Sequence, residues 1–181
     1  MRRWETPRGV RFLTFSCQRR LPLLSNPAIA DLVVQSVSHA RAGIELFAFV
    51  IMPEHVHVLC RPRIEHSIEN VLRSAKMSVA KRVLHRWTTL QATVLDDVRD
   101  ATGRPRFWQK GGGFDRLVRD EAEFRREVQY IHQNPVERGL VDRAEQWKWS
   151  SVRWWMGARE GEVECDPPPM DGMEGWKGFM E

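Results

Sequence analysis

The chain has 181 residues, enough for one domain with a substantial core and too few for two domains of ordinary size. Apolar residues make up 42% of it, as in globular proteins, and its longest apolar run, over 46–52, is far shorter than the roughly 20 residues that span a membrane. The net charge is +4, but the segment from residue 160 onward carries −6 and the rest of the chain therefore carries +10. This basic body favours a polyanionic partner such as nucleic acid. A solvated basic surface would have the same composition.

The first half of the chain predicts a strand, a helix and two further strands. Residues 11–17 alternate in polarity as a strand with one buried face does. The tripeptide Ser-Asn-Pro opens a helix over 27–43, with proline at its first position. A nearly continuous apolar strand follows over 45–52, and after a Pro-Glu turn residues 55–60 form the returning strand.

The second half predicts a helix, a short strand and a last helix. The helix over 68–87 has one apolar side and one basic side. A long connection over 88–112, functional or mobile because of its length, leads to a strand over 114–118. The last helix opens at Asp120 with a capping-box pattern and should end at Asn134, because the following proline disfavours helical geometry. Its apolar stripe consists of Phe124, Val128 and Ile131.

The first six elements have the order βαββαβ. This order predicts an α+β fold with a ferredoxin-like antiparallel sheet and an added C-terminal helix. We expect one domain over 1–158, followed by an acidic tail over 159–181. The acidic side chains of that tail are Glu160, Glu162, Glu164, Asp166, Asp171, Glu174 and Glu181.

His55 and His57 form the first constellation with chemical potential. They are two residues apart on a predicted strand, so both imidazoles point to the same face. A strand presents two metal ligands side by side in this way. Neighbouring histidines are also often packed or exposed without a metal, so the spacing alone leaves both interpretations open.

Tyr130 is the only tyrosine of the chain. On the predicted helix it lies four residues before Asn134, so the two side chains share a face, and Glu127 lies on that face as well. A lone tyrosine is usually a core or boundary residue. Here it has a neighbouring amide that could complete a metal shell.

At these residues the sequence resembles the REP-associated tyrosine transposases, a group within the IS200-like, single-tyrosine transposases with a His-hydrophobic-His motif. Three blocks carry the resemblance in the same order: FVIMPEHVHVL, FWQKGGGFDRLVRDEAEFRREVQYIHQNPVERGLV and WKWSS. With the element order they extend over residues 8–155. The chain departs from the family pattern at GGGFDR, where two aromatic residues more often precede Asp-Arg, which leaves the role of Asp115 open, and the resemblance does not extend to the acidic tail.

The resemblance implies metal-dependent cleavage and rejoining of single-stranded or hairpin DNA. It implies that His55 and His57 are metal ligands, that Tyr130 is the nucleophile and that Asn134 is the third ligand. It also implies that the His-Val-His strand lies centrally in the sheet with the tyrosine helix beside it. Glu127 is a hypothetical aid to proton movement.

The residue types suit that chemistry. A free phenol has a pKa of about 10, so a tyrosine nucleophile needs a base or a metal to help remove its proton. Two imidazoles and an amide oxygen leave coordination positions open, which suits Mg²⁺ or Mn²⁺ bound to phosphate oxygens. The product would be a 5′-phosphotyrosine and a free 3′-hydroxyl, with no nucleotide cofactor.

DNA contacts are expected from basic and aromatic side chains. Cations along the helix at 68–87 would neutralise backbone phosphates, and exposed tryptophans would stack on bases. The predicted DNA-contacting residues are Arg73, Lys76, Lys81, Arg82, Trp108, Lys110 and Arg116. Four tryptophans near the end could instead pack a C-terminal segment onto the sheet: Trp147, Trp149, Trp154 and Trp155.

Two other functional classes are compatible with parts of the pattern. One is a hairpin-binding protein of the same fold without catalysis. The other is a metal hydrolase or nucleotide-processing enzyme with a His-X-His motif, but a histidine-triad enzyme would need a third alternating histidine, and position 59 is leucine. A monomer and a homodimer in which the tyrosine helix acts in trans are both open.

Cysteine usage and the N-terminal sequence bear on location. Cys17, Cys60 and Cys165 are an odd number without motif spacing, which favours reduced thiols. The start of the chain, MRRWETPRGV, lacks the apolar stretch of a signal peptide. We expect a bacterial cytoplasmic protein associated with the nucleoid and not with a membrane.

Overall fold

A four-stranded antiparallel sheet organises residues 9–111, 113–158 and 163–169, the part of the chain that the computed structural model describes. The strands are β1 (Arg11–Ser16), β2 (Ile44–Ile51), β3 (His55–Pro62) and β4 (Phe114–Leu117). The helices are α1 (Pro27–Ala40), α2 (Ile68–Thr89), α3 (Val94–Asp97), α4 (Glu121–Glu137) and α5 (Val152–Trp155). Three short 3-10 helices lie at Gln18–Arg20, Leu23–Ser25 and Ala144–Gln146. The strand order is β2-β3-β1-β4, so the predicted α+β class and its antiparallel sheet are confirmed.

The sheet has two faces because side chains alternate along each strand. Leu13 and Val58 belong to the core beneath α1 and α2. Phe12 and Leu59 belong to the core beneath α4. His57 stacks on Phe12 and therefore lies on the α4 face. The helix that carries Tyr130 thus packs on the histidine face, whereas α2 packs on the other.

Local caps explain where α1 and α2 begin. The Asn26 side chain accepts a backbone N–H of the first turn of α1 at 3.0 Å, and Pro27 occupies the first position. The Ser67 hydroxyl accepts a backbone N–H of α2 at 3.4 Å. Val79 and Val83 are the buried residues of α2, whose opposite side is exposed, as predicted. No helix within the described ranges is long and apolar enough to cross a membrane.

The start of α4 forms half of the predicted capping box. The Asp120 carboxylate accepts the backbone N–H of Glu123 at 2.7 Å. The return bond goes elsewhere, because the Glu123 carboxylate accepts the backbone N–H of Arg119 at 2.8 Å. The predicted apolar stripe is confirmed, since its three residues are fully buried: Phe124, Val128 and Ile131.

The predicted end of α4 at Asn134 is wrong. The helix continues through Pro135 for most of another turn, although proline cannot donate a helical hydrogen bond. Past the proline, Gly139 adopts a φ of 65° and donates to the carbonyl of Val136 at 2.8 Å. Leu140 donates to the carbonyl of Pro135 at 2.9 Å. These two bonds form a Schellman cap, which stabilises the turn that the proline disfavours.

The C-terminal tryptophans connect residues 144–158 to β2 and to α1 through hydrogen bonds of their indole N–H groups. Trp147 donates its indole N–H to the carbonyl of Ile51 at 2.9 Å. Trp155 donates to the carbonyl of Phe47, also at 2.9 Å. Trp149 donates to a carboxylate of α1 at 2.8 Å. For these three tryptophans the packing alternative is confirmed, and Trp154 packs half-buried against the α1 and α2 core.

Residues 163–169, part of the predicted tail, also pack on the body. The Asp166 carboxylate accepts the backbone N–H of Leu46 at 2.9 Å and a guanidinium N–H of Arg63 at 2.8 Å. Val163 and Cys165 are buried beside it. The domain boundary at 158 stays a prediction. The remaining acidic positions of the tail apart from Glu164 lie outside the described residues: Glu160, Glu162, Asp171, Glu174 and Glu181.

None of the three cysteines forms a disulfide, and all three are buried. Burial raises the pKa of Cys17 and of Cys60 to about 12. Because the thiolate is the reactive form, we expect no reaction of native protein with Ellman's reagent and complete reaction in guanidinium chloride. Rapid reaction of one thiol in the native protein would contradict this, and peptide mapping would show whether Cys165 is the residue concerned.

Candidate nucleic-acid processing site

The two histidines of β3 bring their ring nitrogens together in the middle of the sheet. The Nε2 atoms of His55 and His57 are 2.9 Å apart, and the residues are only 4% and 5% exposed. β3 lies between β2 and β1, so its predicted central position is confirmed. A pair of ring nitrogens this close either shares a proton or shares a cation.

Each imidazole is held through its other nitrogen. A Glu54 carboxylate oxygen lies 3.0 Å from His55 Nδ1, and the Thr14 hydroxyl lies 2.7 Å from His57 Nδ1. An ionised carboxylate can only accept, so His55 Nδ1 donates to it and His55 Nε2 keeps a lone pair. His57 Nε2 then donates to His55 Nε2, and the Thr14 hydroxyl donates to His57 Nδ1. With a cation between the two Nε2 atoms, both would present lone pairs to it, and His57 Nδ1 would instead donate to the Thr14 hydroxyl, as the second nitrogen of a metal-bound imidazole does.

Burial keeps both imidazoles neutral. Desolvation, assisted by the charge that His55 can carry, lowers the pKa of His57 to about 3. Desolvation also lowers the pKa of His55, against the attraction of Glu54. Burial opposes ionisation of Glu54, but the positive charges that His55 can carry and that Arg138 carries lower its pKa overall. Neutral imidazole is the form that binds metal ions.

Tyr130 lies beside His57. Their ring centroids are 5.4 Å apart, and Phe12 contacts both rings, at 5.3 Å from His57 and 5.9 Å from Tyr130. Tyr130 is 43% exposed. The phenol therefore adjoins the histidine pair on one side and solvent on the other, where a phosphodiester can reach it.

Asn134 supplies an oxygen that needs a partner. It follows Tyr130 by one helical turn and is 5% exposed, yet its Oδ1 makes no hydrogen bond. A buried amide oxygen without a partner is costly, so a cation at this position would satisfy it. Within the described ranges no cluster of three or more His, Cys, Asp or Glu could hold a metal. An ion on the two histidines would need a further donor, and two imidazoles with an amide oxygen fit an ion that keeps positions open for phosphate oxygens.

Glu127 and Arg116 pair with each other. Glu127 is buried on α4, and its carboxylate forms an ion pair with the Arg116 guanidinium of β4, which also pairs with Glu123. The ion pair of Glu127, the predicted proton carrier, with Arg116, a predicted DNA contact, therefore links α4 to β4. Their roles in proton transfer and DNA contact stay predictions, and both charges are already engaged.

Most of the other predicted DNA contacts lie on the opposite face of the sheet. An open groove of about 1210 Å³ runs between α2, β1 and the end of the long connection. Four of these residues line it: Arg73, Lys76, Trp108 and Lys110. Lys81 and Arg82 are exposed on α2 outside the groove. The fold does not bring these six side chains to the histidine and tyrosine site.

The expectation that Trp108 is exposed is wrong. Trp108 is 7% exposed and packs edge-on against Phe15 and Phe107, with ring centroids at 5.0 and 4.7 Å. Its indole N–H donates to the carbonyl of Lys76 at 2.9 Å. The ring completes the core under α2 and fastens the long connection there, which leaves no free face for a base.

Three residues that position the site were missed by sequence reasoning. Glu54 had a signal, since a carboxylate next to a histidine is a common orienting partner. Arg138 pairs with Glu54 at 3.1 Å and so links the end of α4 to the histidines. Arg138 lies beyond Asn134, where the helix was predicted to end. Thr14 had no signal, because only the strand register places it opposite His57.

The sequence is similar to those of known transposases. A family model described as "Transposase IS200 like" matches residues 13–134. A Haemophilus influenzae protein named as a REP-associated tyrosine transposase is 24% identical over 107 residues, which are 59% of this chain and 58% of that protein. The chain thus spans a little over half the length of this relative.

Solved structures extend the comparison to the fold. The structure of a REP-associated tyrosine transposase bound to a REP hairpin is 20% identical, with a TM-score of 0.61 over 96% of this chain and 94% of that one. At that identity the similarity shows a shared fold. A transposase structure from Deinococcus radiodurans is 17% identical over 74% of this chain and 95% of that one, and its TM-score of 0.44 is too low to add to the comparison.

Proposed function

Since the chain belongs to the IS200-like transposase family, we propose that it cleaves and rejoins single-stranded or hairpin DNA through a 5′-phosphotyrosine intermediate, with Mg²⁺ or Mn²⁺ as cofactor. The contact between the Tyr130 and His57 rings, at 5.4 Å, carries this proposal. The relative solved with a REP hairpin supports hairpin DNA as the substrate. The proposed location is the bacterial cytoplasm, at the nucleoid.

The proposed step conserves phosphodiester bonds. The Tyr130 hydroxyl oxygen attacks the scissile phosphorus, and the bond from phosphorus to the 3′ oxygen breaks. The phenol gives up one proton and the leaving 3′ oxygen takes one up, and water on the exposed side of Tyr130 can carry both. Attack of a 3′-hydroxyl on the phosphotyrosine reverses these changes and rejoins DNA. No nucleotide is consumed.

The protein's own residues hold the geometry of this step. An ion on His55, His57 and Asn134 would supply positive charge to a non-bridging phosphate oxygen. Glu54 and Thr14 keep the two imidazoles turned toward each other, and this reduces the reorganisation needed before reaction. Because Tyr130 emerges between α4 and the sheet, a single strand or the foot of a hairpin reaches it more readily than a duplex does.

One chain brings Tyr130 and the two histidines together. Tyr130 lies beside His57 of the same chain, so a monomer suffices for the proposed reaction. A homodimer in which α4 acts in trans is not required by the geometry, although it would present the same residues.

Tyr130→Phe tests the nucleophile. We expect this variant to form no covalent adduct with an end-labelled hairpin oligonucleotide in Mn²⁺, because the ring and its packing remain while the attacking oxygen is lost. A denaturing gel measures the adduct, and fluorescence anisotropy should show unchanged hairpin binding. Gln129→Ala, an exposed neighbour on α4, should keep the adduct.

Two outcomes would contradict the proposal. An adduct that persists in Tyr130→Phe would exclude Tyr130 as the nucleophile. A wild-type protein that binds the hairpin, forms no adduct and is indifferent to chelation of Mn²⁺ would be the alternative, a hairpin-binding protein of the same fold without catalysis.

A further inference from the structure

Phe114 is an exposed aromatic ring close to Tyr130 that the proposed reaction does not use. It opens β4 and is 54% exposed, although it is a phenylalanine on a strand. Burying such a ring would be worth about 2 kcal/mol, so its exposure beside a functional site calls for a reason.

The register of the sheet aligns Phe114 with the histidine pair. Thr14 pairs with Phe114 on one side and with His57 on the other, so the three residues form one cross-strand row. Directly paired residues point to the same face. Two strand spacings place Phe114 about 10 Å from His57 on the α4 face.

Ring contacts connect Phe114 to the nucleophile. Phe12 lies between them, with its centroid 6.2 Å from that of Phe114 and 5.9 Å from that of Tyr130. The aromatic row leads from Tyr130 outward to β4, which is an edge strand of the sheet in the described part of the chain. The site is therefore open on the side where Phe114 lies.

The position of Phe114 is rigid. Its strand pairs with β1, and Gly113 before it approaches the Thr14 carbonyl so closely that a Cβ would overlap it. Further toward the N-terminus, Gln109 donates its backbone N–H to the carbonyl of Ser16 at 2.9 Å. A ring held on a strand is a better platform than one on a free loop, since little order is lost on binding.

The helix that carries Tyr130 also presents a cation. Arg126 lies one helical turn before Tyr130 on α4, is exposed, and makes no ion pair with any residue in the described ranges. An aromatic face combined with a nearby cation is the arrangement by which proteins bind single-stranded nucleic acid, with the base on the ring and the phosphate on the cation.

We propose that Phe114 is a stacking platform for the unpaired nucleobase adjoining the scissile phosphate. This inference rests on the proposed function and adds a binding residue to it. Stacking on a ring tolerates every base, so Phe114 selects unpaired over paired DNA near the cut and does not read sequence.

Binding of a single strand tests the platform without cleavage. The probe is fluorescein-labelled oligothymidylate of about twelve nucleotides, within the usual site size. In a Tyr130→Phe background, Phe114→Leu should weaken binding about tenfold by anisotropy, because it keeps an apolar group and loses the ring, whereas Phe114→Trp should retain binding. Leu90→Ala, which changes an exposed apolar residue at the end of α2, is the matched control and should bind normally.

Photocrosslinking locates the contact. Oligothymidylate with 5-iododeoxyuridine at one position should crosslink under ultraviolet light to the peptide that contains Phe114, as identified by mass spectrometry. Normal binding by Phe114→Leu together with crosslinks elsewhere would overturn the inference. So would a change from dimer to monomer in Phe114→Leu at equal DNA affinity, since the edge would then be an interface between copies.

Failure of the platform and failure of the proposed function are distinguishable. If Phe114 crosslinks and Phe114→Leu loses affinity while wild-type protein forms no tyrosine adduct, the platform stands and the catalytic proposal fails. If the adduct forms normally with Phe114→Leu and that variant binds oligothymidylate as the control does, the catalytic proposal stands and the platform fails.

Discussion

Replacing His57 by alanine is expected to reduce Mn²⁺-dependent cleavage of hairpin DNA by at least about 10³-fold while leaving hairpin binding largely intact. His57 contributes one of the two Nε2 atoms that face each other at 2.9 Å, so its loss removes half of the imidazole donor set. The readouts are cleavage on a denaturing gel, hairpin affinity by anisotropy and Mn²⁺ affinity by calorimetric titration.

The matched control for His57→Ala is His39→Ala, which removes an exposed histidine on α1. It should change neither cleavage nor Mn²⁺ affinity. Because His57 is buried, thermal unfolding of the variant must accompany the assays. An equal loss of cleavage and hairpin binding would mean that His57 has a structural role and would contradict its assignment as a ligand.

Replacing Gly113 by alanine is expected to lower the free energy of unfolding by about 3 kcal/mol or more. Gly113 has a φ of 75°, and a Cβ there would overlap the carbonyl oxygen of Thr14. That oxygen belongs to the backbone of β1, so no side-chain rotation relieves the clash and β4 has to move away. Urea or thermal denaturation measures the loss, which corresponds to roughly 6 to 12 °C in Tm for a domain of this size.

Gly111→Ala is the matched control for Gly113→Ala. Gly111 also has a positive φ, of 107°, but a Cβ there would meet nothing within 4 Å. Its substitution therefore incurs only the conformational cost of a side chain at positive φ, about 1 to 2 kcal/mol. If both variants lose the same stability, the close approach of Gly113 to Thr14 is not what requires glycine. If the prediction holds, the last glycine of the GGG run serves to bring β4 against the strand that orients His57.

The strands and helices could be predicted because the sequence patterns that indicate them are local. The Asn26 and Ser67 caps and the Asp120 cap depend on bonds within one helical turn. The shared face of His55 and His57 follows from the two-residue period of a strand, whatever the strand pairs with. The predicted end of α4 is wrong because the proline signal concerns one residue and its neighbour, whereas the Schellman bonds that stabilise the turn are made by Gly139 and Leu140 further along the chain.

The surroundings of the site could not be predicted, because they depend on contacts distant in sequence. Thr14 and His57 are 43 positions apart and meet only through the register of β1 and β3. The basic side of α2 was recognised, but helical periodicity does not say which face of a sheet a helix covers. Trp108 illustrates the same limit, since composition cannot distinguish a buried indole from an exposed one.

The amino-acid sequence by itself determined the order of the strands and helices, the pairing of His55 and His57 on one face, and the common face of Tyr130 and Asn134, since each depends only on the period of one element. Only the tertiary structure decided that α4 covers the histidine face, that α2 covers the other, and that Glu54, Thr14 and Phe114 surround the site. The physical reason is that register and face are set by burial and hydrogen bonds between distant segments, and no local pattern encodes them.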